Sequence, residues 1–188
     1  MRRADINDKA KVVDILARSF INESYLNWVL RYCRNKNKIS VIMEYIFDEM
    51  MDKGEIYIDD TESAVALWNT EKQENISLEY ILRNICFLIK NGFRTSILCL
   101  QMESKCQKMY PDKYLHLYII GVLPEKQGSG LASLLLDPII EKAKKDNIPV
   151  FLETASEKNI GIYKKKGFIA YGKIYESGIT LTLMKKDS

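Results

Sequence analysis

The segment from Tyr114 to Ile140 constrains the fold most, because its hydrophobic period changes once, across a short glycine-bearing turn. "YLHLYIIGV" is rich in β-branched and aromatic residues and reads as a strand. Beyond Gly128-Ser129-Gly130, residues Leu131, Leu134, Leu135 and Ile139 recur at spacings that suit one helix face. A strand that hands the chain to a helix in this way needs a sheet with helices packed upon it. Downstream, "PVFLET" reads as a strand, "EKNIGIYKKKG" as a helix, and "FIAYGKIY" and "GITLTLMK" as two strands. Upstream, the apolar spacing predicts a helix over 5–20 capped by Asp5 or Asn7, a helical region from Tyr25 to Cys33, and a third helix, "KISVIMEYIFDEMMDK", stopped by Gly54. "EIYID" and "SAVALWNT" suit a hairpin, and Ser77 to Met109 suits a helix pair broken at Asn91 and Gly92. The expected class is α/β (α+β), in one domain over residues 1–188.

The glycine turn has a chemistry of its own. At a helix start four amide N–H groups lack an intrahelical acceptor and lie at the positive end of the dipole. Glycines leave room for a ligand to approach that backbone, so the turn suits an anion such as a phosphate. It is not a P-loop, because no Lys-Ser/Thr pair follows the glycines. Nor is it a dinucleotide fingerprint, because "GSGLAS" lacks the third glycine and stands late in the chain. A plain packing turn is the alternative reading. Pro138 removes an amide from the middle of the following helix and is expected to kink it.

Composition narrows the partners. Hydrophobic residues at 47% and charged residues at 28% suit an ordinary soluble protein of 188 residues. The longest apolar runs are too short to cross a membrane, and "MRRADINDKAKVVD" lacks a signal-peptide pattern, so a cytoplasmic protein with no membrane partner is expected. The net charge is +3, with acidic residues among the lysines nearly everywhere except 164–166, which argues against nucleic acid. One histidine, His116, cannot make a histidine-rich metal site, and no metal is expected. Cys33, Cys86, Cys99 and Cys106 form no CxxC pair and are expected to be buried free thiols.

"VLPEKQGSGLASLLL" resembles the acetyl-CoA motif of the GNAT N-acetyltransferases, Gln/Arg-x-x-Gly-x-Gly/Ala after a Val-x-Pro strand end. Gln127, Gly130 and Ala132 match its defined positions, and Val122 and Pro124 match the lead-in. "VFLETASEKNIGIYKKKGF" is similar to the family's second conserved region, with Tyr163, Gly167 and Phe168 matching Tyr-x-x-x-Gly-Phe. The start of the chain has the look of the family's first strand and helix, with the strand nearly lost. The firm resemblance covers about residues 114 to 170. It implies a mixed, centrally splayed β-sheet flanked by helices, and direct acetyl transfer from acetyl-CoA to an amine. It implies that amides of Gln127, Gly128, Ser129, Gly130, Leu131 and Ala132 hold the pyrophosphate, and that the Val122 backbone pairs with the pantetheine arm in the opening before "VFLET".

Single residues follow from the same resemblance. Tyr163 is the first choice for a catalytic group: its ordinary pKa near 10 leaves it protonated and able to serve the departing thiolate. Its alternative is packing against the sheet. The pantetheine-contacting asparagine of many relatives would fall at Ser156, so Asn159 is either a displaced cofactor contact or a helix cap. Glu153 is the candidate base, a carboxylate opposite in alternation to Val150, Leu152 and Thr154. His116 is the second candidate, expected on the same strand face as Tyr118 and Ile120. Trp28, Tyr25, Tyr32, Tyr45, Phe47 and Trp68 are either acceptor-pocket lining or core, and that pocket is expected mainly from helices before Gly54. The implied acceptor is a primary amine of a small molecule or another amino group, and a monomer or homodimer both suit the composition. A catalytically weak acyl-CoA-binding regulatory module and a nucleotide-binding protein are the competing functions.

Overall fold

A computed structural model describes residues 1–33, 35, 37–69 and 78–187. Thr70 and Ser77, expected to end a strand and begin a helix, lie outside the described residues. The strands are β1 (Arg2–Arg3), β2 (Gly54–Ile58), β3 (Ala64–Asn69), β4 (Leu115–Val122), β5 (Val150–Thr154), β6 (Ile169–Glu176) and β7 (Ile179–Lys186). They form a mixed sheet ordered β1-β2-β3-β4-β5-β7-β6. The helices are α1 (Lys9–Ser19), α2 (Ser24–Val29), α3 (Lys38–Lys53), α4 (Leu78–Asn91), α5 (Phe93–Gln107), α6 (Leu131–Lys145) and α7 (Glu157–Lys165).

The expected helix over 5–20 is a 3-10 turn followed by α1. Asp5 accepts from the Asn7 amide, and Asp8 closes a capping box while gripping Arg2 through both carboxylate oxygens. β3 is buried on both faces, which is why "AVALW" is an unbroken apolar run. Val65 and Leu67 pack with α1 and α3, whereas Ala64, Ala66 and Trp68 pack with α6. Gly54 does end α3, but with an extended backbone. It must be glycine because a Cβ there would strike the Trp68 carbonyl across the β2–β3 hairpin.

The feature that positions the site is a bulge in β4. Leu67 of β3 faces Ile119 and Trp68 faces Leu117, leaving Tyr118 as an extra residue. Such a bulge bends its strand and re-aims the side chains beyond it. Leu115 and Leu117 pack on the α6 side, Tyr118 on the α1–α3 side, and Ile120 and Val122 on the α6 side again. Ile120 is therefore not on the face of His116 and Tyr118, as strict alternation predicts. β4 and β5, which run parallel, are bonded only at Leu115–Val150 and His116–Phe151, and then part. The sheet is splayed at its centre.

Pro138 does not interrupt α6, which continues to Lys145. The carbonyl it leaves without a donor belongs to Leu134, and both residues are exposed, so solvent has access to it.

Candidate active site

At the end of β4 the chain makes a 3-10 turn over Pro124–Lys126 and enters α6 through the glycine turn. Gly128 and Gly130 have φ of 83° and 87°, the left-handed region that side chains rarely adopt. A Cβ at either position would meet no atom within 4 Å, so conformation and not crowding selects glycine, and the surface outside is open to a ligand. Gly130 gives α6 no side-chain cap, which leaves the first-turn amides of Leu131, Ala132 and Ser133 for an external acceptor. The turn is held by Ser129 Oγ donating to the Lys126 carbonyl at 2.6 Å, and by Arg18 paired with Glu125 at 2.6 Å. The Gln127 side chain donates to the Val122 carbonyl at 3.4 Å, linking the turn to the last residue of β4. The structure thus gathers the expected cofactor set from Val122 to Ala132 at one place.

Where β4 and β5 part, a cavity of about 800 Å³ opens. Its walls include His116 to Ile120, Leu152 to Ala155, and Asn159 and Tyr163 of α7. The two candidate bases touch: Glu153 Oε2 lies 2.8 Å from His116 Nε2, with the side chains 12% and 10% exposed. The Tyr110 hydroxyl lies 3.3 Å from the same nitrogen. Burial disfavours charge on both partners, pushing the Glu153 carboxyl up to about 8 and the His116 imidazole down to about 3. Near neutral pH the pair shares one proton across this contact. Glu153 Oε1 is buried without a hydrogen-bond partner. A buried carboxyl oxygen left unpaired at a cavity wall is costly unless something docks there.

Tyr163 is buried, with its ring edge-on to Phe168 at 5.7 Å. Among the described residues its hydroxyl makes no hydrogen bond, and burial pushes its pKa up to about 12. The ring packs against Phe168, and the residue also lines the cavity. Asn159 is not the helix cap. Ser156 takes that place, accepting from the Asn159 amide, and the Asn159 side chain belongs to the cavity wall.

Residues 104–188 match the family model of the acetyltransferase (GNAT) domain. Over that stretch the chain is similar to the GNAT acetyltransferases. Acetyl-CoA-dependent N-acetyl transfer is the enzyme class that comes with it. Over 187 residues the chain is 22% identical to an uncharacterized N-acetyltransferase of Schizosaccharomyces pombe, spanning 93% of this chain and 76% of the relative. The solved structure of histone acetyltransferase HPA2 and related acetyltransferase from Corynebacterium glutamicum matches with a TM-score of 0.71 at 20% identity, over 99% of this chain and 94% of that one. Arylalkylamine N-acetyltransferase 2 of Aedes aegypti matches with a TM-score of 0.67 at 18% identity, over 99% and 97% of the two chains.

The aromatic residues expected as pocket or core divide. Tyr25 and Tyr45 line the cavity, whereas Phe47 and Trp68 are fully buried core. Trp28 is spent on packing and on a hydrogen bond to the Ser177 carbonyl at 2.6 Å, and Tyr32 is exposed. The pocket is not made mainly by helices before Gly54, because α4 and α5 supply much of its wall. Of the cysteines, Cys33 and Cys106 are buried, Cys99 is half-buried and Cys86 is exposed, so the expectation of four buried thiols fails at Cys86. Sequence reasoning missed Tyr110 and Glu103, both in the cavity wall. For Glu103 a signal exists: Cys99, Met102, Glu103 and Cys106 recur at helical spacing, and an acid in an apolar stripe marks a special position. For Tyr110, in the turn after α5, there is none.

Proposed function

We propose that the protein transfers the acetyl group of acetyl-CoA directly to the primary amine of a small molecule, with residues 1–188 acting as one cytoplasmic catalytic unit, monomeric or homodimeric. The observation that carries this reading is one juxtaposition. A glycine-built anion seat ends the strand that leads out of the opening, and an unpartnered buried carboxyl oxygen, Glu153 Oε1, stands where the opening begins. The amides of Gln127 to Ala132 receive the pyrophosphate. The edge of β4 beyond His116, unpaired with β5, receives the pantetheine arm, with Val122 nearest the seat and Asn159 on the facing wall.

Acetyl-CoA supplies the activated thioester. Glu153, once ionised, accepts a proton from the amine at Oε1 while His116 holds the other oxygen. Tyr163 donates its hydroxyl proton toward the departing thiolate; a pKa near 12 keeps that proton available throughout the working range. Burial pushes the Cys99 thiol up to about 12 and Cys106 higher still, which favours direct transfer over a cysteinyl intermediate. The test is calorimetry with acetyl-CoA followed by a thiol-release assay across a panel of amines. Binding followed by amine-dependent CoA release is expected. Binding with no release from any amine would instead mark an acyl-CoA-binding module.

A further inference from the structure

The cavity beyond Glu153 has a composition that selects among amines. Among its described lining residues there is no lysine and no arginine, and there are three carboxylates, Glu23, Glu103 and Glu153. Each has one oxygen engaged, that of Glu153 by His116. Glu23 accepts from the Leu26 amide at 2.7 Å as the cap of α2, and Glu103 accepts from the Gln107 amide group at 3.1 Å. Burial also raises the Glu103 pKa, favouring its neutral form. Glu153, held by His116 through Oε2, has in Oε1 an oxygen that is buried without a partner.

The rest of the wall is apolar and only partly covered by the protein. Ile81, Ile85 and Leu88 stand at i, i+4 and i+7 of α4, on one helix face, and all three line the cavity while remaining accessible. Ile85 is 47% exposed and Phe93, at the start of α5, is 67% exposed. Across from them Tyr45 packs against Phe87 at 4.6 Å between ring centres, with the Tyr45 hydroxyl donating to Asn84 at 3.1 Å. A volume of about 800 Å³ is more than a bare amine or a thin chain fills.

Resting on the transferase reading, we infer that the acceptor is a monoamine with a bulky apolar body, its ammonium group at Glu153 Oε1 and its body against the Ile81–Ile85–Leu88 face of α4. A second ammonium group carried on the body would have to lie against the apolar Ile81–Ile85–Leu88 face, which costs desolvation. An amino acid's carboxylate would face acids and find no cation to receive it. Apolar length is rewarded instead, by about 4-fold in affinity per buried methylene.

Calorimetry on the CoA-loaded protein tests this, with butylamine, hexylamine, 2-phenylethylamine, phenylalanine and spermidine as probes. Affinity is expected to rise from butylamine to hexylamine, with 2-phenylethylamine far above phenylalanine and spermidine. Ile85→Lys, at a half-exposed site, is expected to weaken 2-phenylethylamine by at least about 10-fold with CoA affinity unchanged, and Ile85→Ala by a smaller factor. Tighter binding of spermidine, or indifference of 2-phenylethylamine to both substitutions, would overturn the inference. Acetylation of spermidine with weak binding of the apolar amines overturns it while leaving the transferase reading intact. Tight binding of 2-phenylethylamine with no acetylation does the reverse.

Discussion

On the side of the opening formed by Gln127 to Ala132, the groups left without a partner at the helix start are main-chain amides. On the side formed by α4 and α5 the groups at the cavity wall are side chains. The first surface needs only a left-handed backbone at Gly128 and Gly130 and a helix that starts without a cap. Little else can replace those features, so a short motif describes them. The second surface needs an apolar stripe and one unpaired carboxyl oxygen, which many sequences could supply. Backbone-built recognition is fixed by few residues; side-chain-built recognition is spread over many and is free to vary.

Substitutions on each surface should therefore fail differently. The largest effect is expected from Gly130→Asp. It forces a side chain into φ of 87° and places a carboxylate at the anion seat. At about 1–3 kcal/mol for strain, with a similar cost for like-charge repulsion, CoA affinity should fall by about 100-fold or more. 2-Phenylethylamine binding should be untouched, and calorimetry with both ligands reads the separation. Loss of both affinities together would mean that the two surfaces are one.

Tyr163→Phe comes next. It removes a hydroxyl that makes no hydrogen bond among the described residues and keeps the ring against Phe168. Turnover should drop by about 100-fold, at the low end for a general acid, with CoA affinity within twofold. Equal turnover would leave Tyr163 as packing alone.

The smallest effect is on stability and belongs to the Glu153–His116 pair. Between pH 4.5 and 6.5, the ordinary values of the two groups, the native pair and the unfolded chain each hold one proton, so stability should be flat. Above pH 6.5 the native state retains a proton on Glu153 that the unfolded chain lacks, so stability falls as pH rises toward 8. Below pH 4.5 the unfolded chain holds two protons and the native pair one, so stability falls as pH drops toward 3. Each limb has a slope of at most about 1.4 kcal/mol per pH unit. Urea titrations from pH 3 to 9 measure it, and Glu153→Gln should erase the alkaline limb and move the onset of the acid limb from about pH 4.5 to about 6.5, where His116 alone titrates in the unfolded chain.

Much of this molecule is legible in its sequence. The period change at Gly128–Gly130, the Tyr163–Phe168 helix end and the order of elements from Leu115 to Lys186 all appear in the fold. Position along the motif also led to Glu153 and His116. Their contact was not legible, because it depends on β4 and β5 being paired at Leu115 and His116 and separating after them. The bulge at Tyr118 breaks the alternation from which facing is read, so Ile120 was misplaced. Asn159 gave way to Ser156 as a cap because either side chain satisfies the local rule, and only the dihedral angles choose. The α4–α5 wall was hidden for a further reason: Ile81, Ile85, Leu88 and Phe93 stay accessible, and an apolar stripe reads the same in sequence whether it is covered or not.

The central claim is that Glu153 is the base and that the single proton of its pair must leave before transfer. kcat at saturating acetyl-CoA and acceptor, measured from pH 6 to 10, tests it most directly. The account predicts a rise that levels above about pH 8, with no falling limb because Tyr163 holds its proton to about 12. In Glu153→Gln the rise should vanish and kcat should drop by about 100- to 1,000-fold. An unchanged limb in that variant, with kcat within a few-fold of the native enzyme, would contradict it.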